Sequence, residues 1–256
     1  MGIFSIFGSI FRKEALYMEK TDNHTYQDRF FLFGIDPKQA LALCEICGRG
    51  DIDVLDTNDG VTLLANSNTL ASRDGLRKAI TEKLNDYLIG PPGETIEQIL
   101  VDILKKKNIE ITTAESVTGG MIASRIINVP GASKIIKQAY VVYDRSTKAS
   151  VLDIPVSFIE RHGEVSLEVA REMARKAQLL TKSDIVVSTT GYAGPSGKEE
   201  SDPVGTVCFG FSIFKQVTTL ERVFSGTRND IRQKATAFAL GYVINKLTRN
   251  GDDKYE

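Results

Sequence analysis

Five consecutive residues, Ile89-Gly90-Pro91-Pro92-Gly93, constrain this chain more than any others. Two prolines in a row can donate nothing to a helix or a strand ladder, and the glycines beside them favour turns over either element. No regular element runs through such a segment, so the chain is expected to divide there. Its 256 residues suit one large domain or two smaller ones. The expected organisation is a leader over residues 1–27, a small α/β unit over 28–92 and a larger domain over 93–256.

The leader is apolar from Gly2 to Phe11 and then basic, the reverse of a signal peptide, and it lacks a small-residue cleavage site. It reads as a short amphipathic helix docked on protein rather than a membrane anchor. No stretch is long enough to cross a bilayer. The three cysteines, Cys44, Cys47 and Cys208, are an odd number without an export signal. That pattern predicts reduced thiols and a cytoplasmic location. Cys44 and Cys47 lack a second Cys/His pair to complete a zinc site and read as small apolar residues one helical turn apart. With only His24 and His162 besides, neither a metal nor a cofactor is expected. A net charge of −1 excludes bulk attraction to nucleic acid or an anionic membrane, but leaves room for a local phosphate pocket.

In the small unit, Phe30 to Phe33 predict a strand, and Asp36-Pro37 opens a helix through Ala40, Leu41, Leu43 and Cys44. Ile52 to Leu55 and Val61 to Ala65 alternate as strands around Asn58-Asp59-Gly60, a hairpin signal. Ser72 or Asp74 starts a helix through Leu76, Ile80, Leu84 and Leu88. In the larger domain, Ile96, Ile99, Leu100, Ile103 and Leu104 fall on one helical face. Strands are expected at Ile109–Thr113, Ala139–Tyr143 (buried) and Ile185–Thr190. Helices are expected at Thr118–Ile127, at Ser166–Leu180 with Val169, Met173, Ala177 and Leu180 inward, and from Arg228 to Leu247 behind Thr227 and Asp230. Gly191 to Pro203 reads as a long loop, and Val204–Phe214 with Val217–Phe224 as a hairpin. Alternating strands and helices followed by an antiparallel pair predict an α/β fold: a three-layer α/β/α mixed sheet preceded by the small α/β domain.

Chemistry in such sheets gathers where a strand turns into a helix. Thr113-Ala114-Glu115-Ser116-Val117-Thr118-Gly119-Gly120 makes that turn, and its free N–H groups suit an anion or a developing oxyanion. Ser116 is either a presented nucleophile or, with Thr118, a helix cap. Tyr143-Asp144-Arg145-Ser146-Thr147-Lys148 follows another strand. Lys148 lies one turn in, either as a desolvated base or as a surface lysine. The glycine-rich run Thr189 to Gly197, followed by Pro203-Val204-Gly205-Thr206, is either a ligand-holding loop or a flexible connection; it lacks the ending of a P-loop. Arg228, just inside a helix start, is either a phosphate grip or an exposed helical arginine.

Taken in order, these segments resemble the CinA C-terminal domain family, the nicotinamide-nucleotide amidases, from about Thr95 to Leu247. The matching motifs are Thr113-Ala114-Glu115-Ser116-x-Thr118-Gly119-Gly120, Val129-Pro130-Gly131-Ala132-Ser133, Tyr143 with Lys148, and His162-Gly163-x-Val165-Ser166. Thr190-Gly191-x-Ala193-Gly194-Pro195, Pro203-Val204-Gly205 and Gly226-x-Arg228 complete the set. The resemblance implies hydrolysis of nicotinamide mononucleotide to nicotinic acid mononucleotide and ammonia, without a metal. It implies Ser116 as nucleophile, Lys148 as general base and Tyr143 as a residue that holds the ring or orients the lysine. Thr118, Gly119 and Gly120 would supply oxyanion donors. Thr190, Gly191, Ala193 and Gly194 would line the substrate site, with Arg228 near the phosphate. Either burial or like charge from Arg145 or Arg228 would keep the lysine neutral. The partner is a small-molecule nucleotide, with no nucleic acid or membrane, and the chain is expected to form a homo-oligomer. The alternative is a non-catalytic nucleotide-binding or scaffold protein of the same fold.

This sequence departs from the family at Val117 (usually cysteine), at Asp144-Arg145-Ser146-Thr147 (usually Ser-Asn-Glu-Ala) and at Tyr192 (usually isoleucine). Residues Leu63 to Leu100 are similar to the end of the linker domain in longer CinA proteins. Their pyrophosphatase domain has no counterpart in the first 90 residues, so no pyrophosphatase activity is expected.

Overall fold

The computed structural model describes residues 26–45, 51–195 and 203–249. They form two compact units, one of residues up to Ile99 together with those from Gly241 onward, the other of Leu100–Leu240. The leader expected over residues 1–27 lies almost entirely outside the described residues, as does Cys47. No described helix is long and apolar enough to cross a membrane.

In the first unit, β1 (Tyr26–Leu32), β2 (Asp51–Thr57) and β3 (Gly60–Ser67) form an antiparallel sheet in the order β1-β3-β2. The β2–β3 turn is the one the Asn58-Asp59-Gly60 signal predicts, with Thr57 opposite Gly60. The Thr57 hydroxyl closes it, donating to the Gly60 carbonyl (2.9 Å) and accepting from the Asp59 N–H (3.1 Å). Helix α1 (Pro37–Glu45) is capped reciprocally: Gln39 N–H donates to Asp36 Oδ1 (2.9 Å) and Asp36 N–H to Gln39 Oε1 (3.5 Å). Helix α2 (Leu70–Leu84) starts earlier than expected. Its cap is Thr69, which accepts from Ser72 N–H, rather than Ser72 or Asp74. It also stops before Leu88, which pairs with Leu32 as an isolated bridge. Phe30, Leu63, Ile80 and Leu84 are fully buried and centre the core.

The second unit holds β4 (Ile111–Glu115), β5 (Ile136–Val141), β6 (Ile185–Gly191), β7 (Thr206–Ile213) and β8 (Gln216–Val223) in the order β5-β4-β6-β7-β8. The first three are parallel; β7 and β8 run antiparallel and form the expected hairpin. Helices are α3 (Ile96–Lys107), α4 (Met121–Ile127), α5 (Arg145–Leu152), α6 (Val156–His162), α7 (Leu167–Thr181) and α8 (Arg228–Thr248), of which α3 and α8 are shared with the first unit. Successive residues on a strand point to opposite faces. On β7, Phe209 packs against Phe238 of α8, with ring centroids 4.9 Å apart. The next residue, Gly210, faces α7 so closely that a Cβ there would lie 2.3 Å from the Ala170 carbonyl oxygen. Helices therefore cover both faces of a mixed sheet, as the element order predicts.

Four local expectations are corrected. The strand read as buried over Ala139–Tyr143 is β5, starting at Ile136, and it is mostly exposed because it forms a sheet edge. Helix α4 begins at Met121 rather than Thr118, because Gly119 and Gly120 take positive φ. On α7, Val169, Ala170, Met173, Ala174 and Ala177 are buried, but Leu180, in the last turn, is half exposed. Periodicity identifies the face and not where the covering layer ends. The loop read from Gly191 starts one residue later, since Gly191 ends β6.

Candidate active site

The carboxyl ends of the parallel strands β4, β5 and β6 deliver the three segments that the sequence singles out. At the end of β4, the fully buried Glu115 carboxylate accepts the N–H groups of Ile122 (3.1 Å) and Ala123 (2.9 Å). It thereby satisfies the first turn of α4. Gly120 occupies the cap position and has no side chain to contribute. Thr118 turns its hydroxyl to Thr189 instead (2.7 Å). Neither Ser116 nor Thr118 caps the helix, and the Ser116 hydroxyl is left for other partners.

One of those partners comes from α5. Asp144 caps this helix, accepting from the N–H (2.7 Å) and hydroxyl (2.5 Å) of Ser146. These bonds, and secondarily the charges of Lys148 and Arg145, hold the Asp144 carboxyl below the ordinary aspartate range. Helical side chains lean toward the N-terminus, so a lysine one turn in reaches back over the strand ends. Lys148 does this while fully buried. Its Nζ lies 3.3 Å from Ser116 Oγ, 3.3 Å from the Tyr143 carbonyl and 2.6 Å from Glu164 Oε1. An ammonium has three protons to donate, and three acceptors surround it. The charged neighbour that meets Lys148 directly is a carboxylate, not the guanidinium of Arg145 or Arg228 expected from the sequence. Ser116 Oγ itself lies 3.4 Å from the Tyr143 carbonyl.

Ser116, Tyr143, Thr190, Gly191, Ala193 and Arg228 line one cleft of about 570 Å³, together with Arg145, Glu160, Glu164 and Tyr192. That volume is in the range of small-ligand sites. Lys148 lies beneath it. Thr118, Gly119, Gly120 and Gly194 are not among the lining residues. Gly119 donates its N–H to the Ser116 carbonyl (3.1 Å), while the N–H groups of Val117, Thr118 and Gly120 meet no acceptor among the described residues. The Arg228 guanidinium donates to the Gly194 carbonyl (2.7 Å) and to the Tyr143 hydroxyl (2.9 Å), joining the segment after β6 to the one after β5. The Thr190 hydroxyl donates to the Glu164 carbonyl (2.8 Å), anchoring the residue that meets the lysine.

Residues 93–247 match the model of the CinA C-terminal domain. The chain belongs to the CinA family. A CinA-like protein of Dictyoglomus thermophilum is 40% identical over 164 residues, 64% of this chain and 40% of that protein. The chain thus spans about two fifths of the length of the curated relatives it matches. The crystal structure of a competence or damage-inducible protein from Enterobacter asburiae matches with a TM-score of 0.57 and 30% identity, covering 59% of this chain and 96% of that one. The competence damage-inducible protein A of Klebsiella pneumoniae matches with a TM-score of 0.58 and 28% identity, covering 62% and 100%.

Two residues at or beside the cleft of this CinA domain, Glu164 and Arg232, are absent from the sequence reading. Glu164 stands at the unspecified position of His162-Gly163-x-Val165-Ser166, and only folding brings it to Lys148. Arg232, one turn beyond Arg228 on α8, donates to the carbonyls of Val117 (3.1 Å) and Thr118 (2.9 Å) and so fixes the turn after Ser116. The spacing of Arg228 and Arg232, one helical turn on the same face, is the signal that could have suggested the second arginine.

Proposed function

We propose that this CinA domain hydrolyses the amide of nicotinamide mononucleotide, releasing ammonia and nicotinic acid mononucleotide. The single observation that carries this reading is the 3.3 Å approach of Lys148 Nζ to Ser116 Oγ at the edge of a nucleotide-sized cleft. An amide is a poor electrophile, so attack needs an activated hydroxyl and a stabilised oxyanion. Ser116 Oγ attacks the carbonyl carbon and passes its proton to the neutral lysine amine. Lys148 then delivers that proton to the departing ammonia, and water hydrolyses the remaining ester. The N–H groups of Val117 and Thr118, next in the chain and without an acceptor among the described residues, supply the oxyanion donors, in a turn steadied by Arg232. Tyr143 acts through its carbonyl, which holds both reacting groups, and through its hydroxyl, which meets Arg228. Arg228 lies where a phosphate entering the cleft can reach it.

The test is ammonia release from nicotinamide mononucleotide by the wild type beside Ser116→Ala. The reading predicts release by the first and not by the second. If both are silent while the nucleotide still raises thermal stability, the protein binds without catalysis.

A further inference from the structure

Lys148 and Glu164 form an ion pair of unequal exposure. The lysine side chain is 0% exposed and the Glu164 side chain 36%. Something entering the cleft can therefore touch the carboxylate without removing the lysine. As it stands the lysine is a donor to three oxygens, and an ammonium cannot accept the Ser116 proton. It has to shed a proton before the chemistry proposed above can begin. Among the described residues, the other charged or titratable groups around this cleft are Asp144 and Arg145 at the start of α5, Glu160 on α6, Arg228 on α8 and the hydroxyls of Tyr143 and Tyr192. Arg145 lies 3.8 Å from Glu160, and Arg228 is held by two neutral oxygens. Glu164 alone among these carboxylates is hydrogen-bonded to the lysine amine.

Resting on the amidase reading, we propose that Glu164 makes the cleft an ion exchanger for amides carried on a cationic ring. The pyridinium enters beside the carboxylate and takes over its negative charge. Two cations crowd one carboxylate in a poorly solvated site, and the one that can lose its charge does so. The Lys148 ammonium gives one proton to solvent and becomes the amine that accepts from Ser116. Charge balances: one positive ring enters and one proton leaves. A neutral ring gives no such push, leaves the lysine protonated and is a poor substrate. Glu164 is a positioning and selecting residue in this account, not the base.

Binding can be measured apart from turnover in Ser116→Ala. Calorimetric titrations in buffers of different ionisation enthalpy count protons, with oxidised nicotinamide mononucleotide as the cationic probe and its reduced dihydro form as the neutral one. Both carry the same phosphate, so its titration cancels. The oxidised form should release about one proton per site more than the reduced form. Adding Glu164→Gln, or separately Lys148→Met, should abolish that difference. Oxidised nucleotide binding with no proton release, an equal release with the reduced form, or a release that survives Glu164→Gln would each overturn the exchange while leaving the amidase reading intact. Failure of both forms to bind would overturn the nucleotide site itself, and the exchange with it.

Discussion

In the three-stranded sheet every strand lies antiparallel to its neighbour, and two of them join through a tight turn; in the five-stranded sheet three strands run the same way, and the first two of them lead into helical crossovers. The difference decides where polar chemistry can gather. A hairpin closes on itself and spends its backbone groups on the ladder. Parallel strands stop together, and their exits leave N–H groups, hydroxyls and a concave space at one edge. The small sheet accordingly buries one prominent charge, Asp28, and gives both of its oxygens to Arg77 at 2.5 Å. The larger sheet buries Glu115, Ser116, Thr118, Lys148, Thr189 and Thr190 around its carboxyl edge, and several of them face a cleft or each other.

The contrast is broken most sharply at the cleft. Lys148→Met should lower the rate of ammonia release by about a thousandfold or more, read as kcat by coupled assay, because it removes the amine that lies beside Ser116. A rate within tenfold of wild type would return the lysine to a structural role. The small sheet should respond in stability instead. Leu63→Ala empties a fully buried position and should cost about 2–5 kcal/mol in denaturant unfolding. Within the larger sheet, Thr118→Val leaves the Thr189 hydroxyl without its 2.7 Å partner and should cost about 1–3 kcal/mol. That loss is read in stability, where the one at Lys148 is read in kcat. The smallest effect is expected at Asp144. Its folded carboxyl is depressed chiefly by Ser146, so its contribution is complete above the unfolded aspartate value and is lost as pH falls through the lower folded one. Thermal midpoints followed from neutral pH down through the carboxylate range should therefore drop more steeply for the wild type than for Asp144→Ala.

Local grammar made much of the fold legible. The Asp36 cap before Pro37, the Asn58-Asp59-Gly60 turn and Thr227 with Asp230 each act over a few residues, and each appears as read. What depends on neighbours in space was not legible. The edge position of β5 follows from strand order, so its exposure could not be taken from its residues. The capping of α4 by Glu115 follows from two glycines that carry the chain away from a helix before it enters one. At the site, the motifs located Ser116 and Lys148 but not the Glu164 carboxylate that meets the lysine. That contact joins segments sixteen residues apart across two helices.

The central claim is covalent: an ester forms on Ser116 before water completes the reaction. Hydroxylamine added with nicotinamide mononucleotide competes with that water. The account predicts that part of the product becomes the hydroxamate while ammonia is still released, and that Ser116→Ala yields neither. Nicotinic acid mononucleotide formed by Ser116→Ala at the wild-type rate would contradict it.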